Sequence, residues 1–594
     1  MTGNRKNRTY RTDRTNGTNR TLAALALTAM LFLAGHTSAA GELFDEATVE
    51  FASKVDGKAL GLTAVQSSGR LTILDTVARE RLADMYGSER IDGLPPAVAY
   101  MELYLNAGKY LDKPVIDVPE KSFRQAAENL AGEPLAGELR RTHRLPPAAL
   151  LDHQGAILLK TTGRATTAEL DRATAVTSLR MVLGQLSSRS EHRLALERLD
   201  GRLSEFLAEE DLDVIYIGGG SWLAMDFWSR PGMNTVFDEY KVELAAFEQA
   251  WRARDASGVN RWLGALEARQ SQMPGYPNLT RRELEWWYNR TYKSTIAWGG
   301  FAVAMALLIV AAASGSRRFR RLGMIVLALA TTALLLGFIT RWILSGREWY
   351  LPPIMNEFEA LVGSALIAAV IGVGIELFRR LNYIGLAAAV YATIALLACF
   401  FLPGATGAGI AAMPGILNSP VMAVHVAFII LGHAMVGMTL IISLIYLVVL
   451  AAGGARGGAT RSAGTDLSGN SPVQGAIDQV AAPPTADVPA GALATIDRCN
   501  LIVAQLAAWM VIVGTALGAY WADFAWGHWW DWDIKETWAL ITCLVYVAIL
   551  HARFITSIRW RGLVTAVLCI IGCAVMLFNW LVVNYLFAGK HSYA

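Results

Sequence analysis

The sequence predicts an all-α polytopic membrane protein of about eight transmembrane helices, with an N-terminal, mainly helical extracytoplasmic domain. Three observations carry this. The 594 residues are 54% hydrophobic and only 17% charged, more apolar and less charged than a soluble domain. The charge is unevenly placed, with 28 Lys, Arg, Asp and Glu residues from Ile296 onward against 75 before it. In that second half, eight apolar stretches lie at 296–314, 322–344, 357–377, 384–402, 421–451, 500–519, 537–556 and 563–587, near the ~20 residues that a bilayer crossing requires. A net charge of +3 without a basic stripe leaves nucleic-acid binding no electrostatic footprint.

Residues 1–40 come first. Arg5, Lys6, Arg8, Arg11, Arg14 and Arg20 precede the apolar run Leu22 to Ala34, and small residues Ser38, Ala39 and Ala40 follow; this reads as a signal peptide, with an uncleaved anchor as the rival. Either places residues 41–295 outside the cytoplasm. That segment shows helical periodicity over Leu74 to Tyr86 and Val242 to Arg254. Gly218, Gly219 and Gly220 follow the apolar run Val214 to Ile217 without any phosphate-binding pattern and predict a turn. His143, His153 and His192 stand alone and read as surface or structural residues. No cysteine falls between Gly41 and Thr295, and no C-x-x-C occurs, which excludes a disulfide scaffold and a thioredoxin-like or c-type haem motif within the chain.

Residues 296–594 form the membrane domain. With the first span entering from outside, the cytoplasmic loops and their edges hold twelve arginines and the outer side only Arg341, Arg347, Lys535 and Lys590, as the positive-inside rule requires. Residues 453–492, rich in Gly, Ala, Ser and Pro, are expected to be a disordered cytoplasmic linker.

Six of the 18 tryptophans lie between Trp521 and Trp538: Trp521, Trp526, Trp529, Trp530, Trp532 and Trp538. An interfacial belt explains some of them. Their concentration in one loop among Asp523, Asp531, Asp533, Lys535 and Glu536 favours a platform for a large, flat, apolar ligand. Asp533 and Glu536 also match a helix capping box. Histidines in or beside spans are costly and point to function. His425 lies near the outer end of the fifth span and His433 two turns deeper, while His551 lies within the seventh. Counted from the outer ends, His433 and His551 lie at roughly 18 and 21 Å and are expected at a shared depth. His425 and His591 can instead meet outside, beside the tryptophans, where paired neutral imidazoles would suit axial ligation of haem iron.

These residues resemble the CcsA/ResC-type cytochrome c biogenesis proteins, the haem-handling WWD family of system II. The run from Trp526, WGHWWDWDIKETWALITCLVYVAILHAR, is similar to the family's tryptophan-rich signature, with Ile534 replacing a usual proline, Trp529 a tyrosine and Cys543 a tryptophan. Arg341 and Trp342, then Pro353, Asn356, Phe358 and Glu359, then Pro414 to Val426, and finally Asn584 to Ala594 match further motifs in order. The resemblance implies that His425 and His591 ligate the iron of haem b over a platform of Trp526, Trp529, Trp530, Trp532, Asp533 and Glu536. It also implies that His551 lies on an intramembrane haem route, and it makes the chain a subunit of a cytochrome c synthase (haem lyase). Haem held outside would be presented to the C-x-x-C-H thiols of an apocytochrome c for thioether attachment. The expected partners are a ResB/CcsB-like membrane subunit, apocytochrome c and a thioredoxin-like thiol reductant, at the bacterial inner membrane. His433 is a further expected intramembrane site, pairing with His551. Arg341, Arg347 and Lys535 are candidate propionate partners by charge and sidedness. The competing functions are a haem exporter that passes haem to a separate chaperone, and a solute transporter with an incidental aromatic belt.

Overall fold

In the computed structural model, the described residues are 43–67, 69–133, 135–174, 179, 183, 190–208, 212–224, 238–291, 295–379, 381, 383–401, 409–410, 415–461, 490–555, 557, 560–583 and 587. The expected signal segment 1–40 and His591 lie outside them. Two compact units divide the chain.

The first unit (Met1–Leu60, Ala78–Asp211, Met225–Leu266) is helical, with one small sheet pairing Ile116–Asp117 with Arg144–Leu145. Its core is organised around the buried carboxylate of Glu102. This group accepts hydrogen bonds from Arg254 Nη1 and Nη2 (2.6 and 2.8 Å), Trp251 Nε1 (2.8 Å), Tyr110 Oη (2.9 Å) and Asn106 Nδ2 (3.0 Å). A buried carboxylate is tolerable only with such complete pairing.

The second unit (Gly61–Val77, Leu212–Ala224, Glu267–Ala594) contains a four-stranded antiparallel sheet and the apolar helices. Strands β1 (Ala64–Ser67), β2 (Arg70–Ile73), β3 (Asp213–Gly218) and β4 (Ser221–Ala224) take the order β2-β1-β3-β4. The predicted glycine turn is the β3–β4 hairpin, where Gly219 and Gly220 adopt φ of 62° and 81°, the pair of positive values that a two-residue hairpin loop demands. A sheet was not expected in a mainly helical segment; strands of four residues are too short for their alternation to register against helical neighbours. Helix α1 (Leu279–Arg290) brings Glu285 to β2, where it accepts from Arg70 Nη2 (3.0 Å), Thr72 Oγ1 (2.6 Å) and Thr76 Oγ1 (2.9 Å).

The apolar helices follow: α2 (Ala297–Ser314), α3 (Arg317–Ser345), α4 (Glu357–Arg379), α5 (Ile384–Ala398), α6 (Pro420–Arg461), α7 (Ala490–Trp526), α8 (Ile534–Ile555) and α9 (Arg561–Leu577), the last continuing into a π-helical turn at Phe578–Val583. Seven of them are long and apolar enough to cross a membrane, and α5, the remaining stretch of the expected eight, is a shorter apolar helix. The helical frame continues to Arg461 and resumes at Ala490; residues 462–489, the middle of the expected 453–492 linker, lie outside the described ones.

Two apolar cores hold the bundle, one centred on α6–α9 and one on α2–α5, with Val390, Tyr391, Ile445 and Trp580 packed against both. Lipid tails are as apolar as leucine, so close approach through small residues drives such packing. On α6 and α7, Gly432 faces Val511, Gly514 faces Ile429 and Gly518 faces His425; a Cβ at any of the three would stand 2.6–2.7 Å from its neighbour.

Candidate functional site

That close α6–α7 approach positions the first candidate histidine. The His425 ring sits over the glycines of α7, and its Nδ1 lies 2.7 Å from the Gly514 carbonyl oxygen. A carbonyl only accepts, so Nδ1 carries the proton and the lone pair of the neutral ring is at Nε2. His425 lines a cavity of ≈ 470 Å³, within the usual range for small-molecule sites. Its walls combine α6 (Met422, His425, Ile429, His433), α7 (Val511, Thr515, Gly518, Trp521), the tryptophan loop and start of α8 (Trp530, Lys535, Glu536, Ala539, Thr542), the turn after α9 (Asn579, Trp580) and the segment Ile354–Glu357.

The loop that carries Trp530 is held by its own helix cap. Asp533 Oδ1 accepts the Lys535 amide (3.0 Å), and Glu536 Oε2 accepts those of Asp533 (3.3 Å) and Asp531 (2.9 Å). The predicted capping box is present, and Glu536 also lines the cavity. The indoles do not form one flat floor. Trp521 meets Trp526 at 74° and Trp530 meets Trp532 at 80°, edge to face, as the ring quadrupole favours. Only Trp521 and Trp530 of the group line the cavity, while Trp529 packs on Tyr520 and Trp538 on Phe578. Trp532 is 70% exposed and adopts φ of 57°, a strained backbone for a bulky residue and a feature that concentrates at functional sites.

Asn356 Oδ1 caps α4 by accepting the Glu359 amide (2.8 Å). Glu359 itself is fully buried and receives Arg341 Nε (3.0 Å) and Nη2 (2.9 Å), Arg347 Nη1 (2.8 Å) and the Met355 amide (3.0 Å). Arg341 and Arg347, the expected propionate partners, both engage this buried carboxylate, as desolvated guanidinium groups require. Lys535 faces the cavity, and among the described residues its ammonium has no ion-pair partner within 4.0 Å.

The structure does not bring His433 and His551 together. Thr439 Oγ1 and Tyr546 Oη, 3.2 Å apart, set the register of α6 against α8. Counted from that contact in these parallel helices, His433 is six residues toward the tryptophan loop and His551 five away from it, roughly 16 Å along the axis at 1.5 Å per residue. Depths counted from the apolar ends of each span missed this offset. His433 instead lines the cavity and stacks on Trp580 (5.3 Å, 29°). His551 is exposed on α8, its Nδ1 bonded to the Val547 carbonyl (2.8 Å). Sequence reasoning missed Thr515, Thr542, Asn579 and Trp580. Asn579, an amide within an apolar span, had a usable signal in its cost; Trp580 in FNWLVV had none.

The fold and site therefore define a multi-pass α-helical membrane protein with a histidine- and tryptophan-lined cavity at one end of its bundle. The family described as cytochrome C assembly protein matches residues 354–591, which include every wall of that cavity. The cytochrome c biogenesis protein CcsA of Prochlorococcus marinus (strain SARG) is 32% identical over 279 residues, 45% of this chain and 83% of its own length. Its counterpart from Pyropia yezoensis is 28% identical over 309 residues, 50% of this chain and 95% of its own, and that from Synechococcus elongatus is 44% identical over 99 residues, 17% and 30% respectively. The chain belongs to the cytochrome c assembly protein family and is a membrane protein of cytochrome c biogenesis.

Proposed function

We propose that the chain binds haem b as cargo in this cavity and presents it for thioether attachment to the C-x-x-C-H motif of an apocytochrome c, as a subunit of a cytochrome c synthase. The observation that carries the reading is the cavity itself, in which an imidazole with its lone pair at Nε2 faces indole walls. Two features fit haem. The walls are mostly apolar with a few polar groups, as a macrocycle with two carboxylates needs, and Trp530 Nε1 and Asn579 Oδ1 are buried there with no hydrogen-bond partner among the described residues. His425 supplies one axial ligand and His591 the other, and Lys535 offers a cation to a propionate. Attachment adds each cysteine S–H across one vinyl group, the sulfur to carbon and the hydrogen to the neighbouring carbon. The apocytochrome histidine then displaces one axial imidazole.

His551 serves the intramembrane route. Its exposure on α8, beside exposed Phe554 and Ile555, suits contact with a ResB/CcsB-like membrane subunit, and a thioredoxin-like reductant keeps the apocytochrome thiols reduced. The arginine asymmetry of the loops supports an extracytoplasmic cavity at a bacterial inner membrane. The test is the absorption spectrum of the purified full chain, wild type against His425→Ala and His591→Ala, with and without imidazole. Haem lost or altered in each variant and restored by imidazole supports the reading. Thioether formation on adding the partner subunit and apocytochrome separates a synthase from an exporter, which would release haem unattached. Absence of haem from wild type both alone and with the partner subunit refutes it.

A further inference from the structure

We infer that the cavity contains a second, inner iron-ligating position at His433, eight residues along α6 from His425 and roughly 12 Å away along the axis at 1.5 Å per residue. This rests on the haem-binding reading above and adds a ligand to it.

Three observations converge on His433. Its ring lines the cavity, and among the described residues neither ring nitrogen has a hydrogen-bond partner; its one ring contact is the stack on Trp580. Neither nitrogen is among the fully buried atoms that lack a partner, so each keeps some accessible surface on a residue that lines the cavity. An imidazole inside a span without a hydrogen bond forfeits its solvation unless a ligand restores it. Second, the ring is held by a local irregularity in the backbone. The π-helical turn Phe578–Val583 carries Trp580, and such turns recur where a side chain must be re-aimed for function. Third, Asn579 on the same turn lines the cavity with Oδ1 buried and, among the described residues, without a hydrogen-bond partner. A histidine that served packing alone would satisfy at least one ring nitrogen on a carbonyl or hydroxyl, since an unpaired imidazole within a span is costly. His433 keeps its nitrogens for something that enters. A neutral imidazole donates its lone pair to iron by exchange with water or another ligand, with no change of oxidation state.

The experiment uses the full chain in detergent, titrated with ferric haem b and, separately, with metal-free protoporphyrin IX. Wild type and His425→Ala are compared with His425→Ala/His433→Phe, which retains an aromatic partner for Trp580, and with His425→Ala/His433→Ala. The His425→Ala chain should hold haem more weakly than wild type and with an altered spectrum, but one that still reports a histidine ligand. Adding His433→Phe should weaken haem at least about tenfold while leaving protoporphyrin IX binding within about twofold, and imidazole should restore the ligated spectrum in the double alanine variant. An unchanged haem spectrum and affinity on His433→Phe overturns the inference, as does an equal loss of haem and protoporphyrin, which would make the residue a matter of shape alone. Wild type that binds haem through His425 with His433 silent leaves the proposed function standing; wild type that binds no haem removes both.

Discussion

Glu359→Ala tests the buried clamp that holds the Ile354–Glu357 segment, one wall of the cavity. The carboxylate is completely buried and accepts three hydrogen bonds, one each from Arg341 Nε, Arg347 Nη1 and the Met355 amide, with Arg341 Nη2 in ion-pair contact at 2.9 Å. Breaking a buried ion pair by removing one partner costs ~3–5 kcal/mol. The orphaned Met355 amide adds ~1–3 kcal/mol. Arg341 keeps the Gly409 carbonyl (2.8 Å) and its place over the Phe358 ring (4.9 Å), which offsets part of the loss, so the expected destabilisation is about 4–6 kcal/mol. Glu359→Gln keeps the shape and one acceptor and should lose about half as much. Removing both charges with Arg341→Met/Glu359→Leu should cost less than the two single changes together, because no guanidinium at position 341 is then left unpaired. The assay is unfolding in mixed dodecylmaltoside–SDS micelles followed by tryptophan fluorescence. A Glu359→Ala chain within about 1 kcal/mol of wild type would refute the reasoning, since it would mean that water or another anion replaces the carboxylate freely.

Three further predictions concern single sites. Gly518→Ala places a methyl group 2.6 Å from the His425 ring and should lower haem affinity about tenfold or more in a spectral titration, even though alanine favours the helix; unchanged affinity would mean that His425 needs no fixed orientation. In the first unit, Glu102→Ala strands Arg254 among buried groups and should cost about 3–5 kcal/mol, read as the loss of its cooperative thermal transition; a transition within 2–3 °C of wild type would refute this. Burial pushes the Asp117 carboxyl up from its ordinary value, with Arg202 and Arg144 offsetting part of the rise. A folded pKa raised above the unfolded one means that folding favours the protonated acid, so this contribution is present at low pH and lost as pH rises through the unfolded and then the folded value. Asp117→Asn should therefore raise thermal stability at neutral pH, with the gain vanishing below the ordinary carboxylate range, and an equal gain at pH 3 and pH 7 would refute the burial argument.

Much was legible in sequence because it depends on local composition and period. Apolar length marks a membrane helix whatever it packs against, so seven spans and the short α5 appear close to where the apolar stretches end. Asp533 and Glu536 at cap spacing form their box because a helix terminus leaves backbone amides unpaired in any context. What depended on how one helix lies against another was not legible. Hydropathy sets where a span begins but not its register, so His433 and His551 seemed level until Thr439 met Tyr546 and set them roughly 16 Å apart. Charge and sidedness made Arg341, Arg347 and Lys535 equivalent, and only packing decided that Glu359 takes the arginines while the lysine faces the cavity. A crowd of tryptophans in one loop foretold an aromatic site. That two of them line the cavity while others meet edge to face, and that Trp580 arrives from another helix on a π-helical turn, follows from steric fit among elements distant in sequence. The sequence by itself determined the spans, the caps and the chemical types available to the site; the tertiary structure alone decided which of those groups share a cavity, because depth, register and the pairing of buried charges are properties of helix pairs.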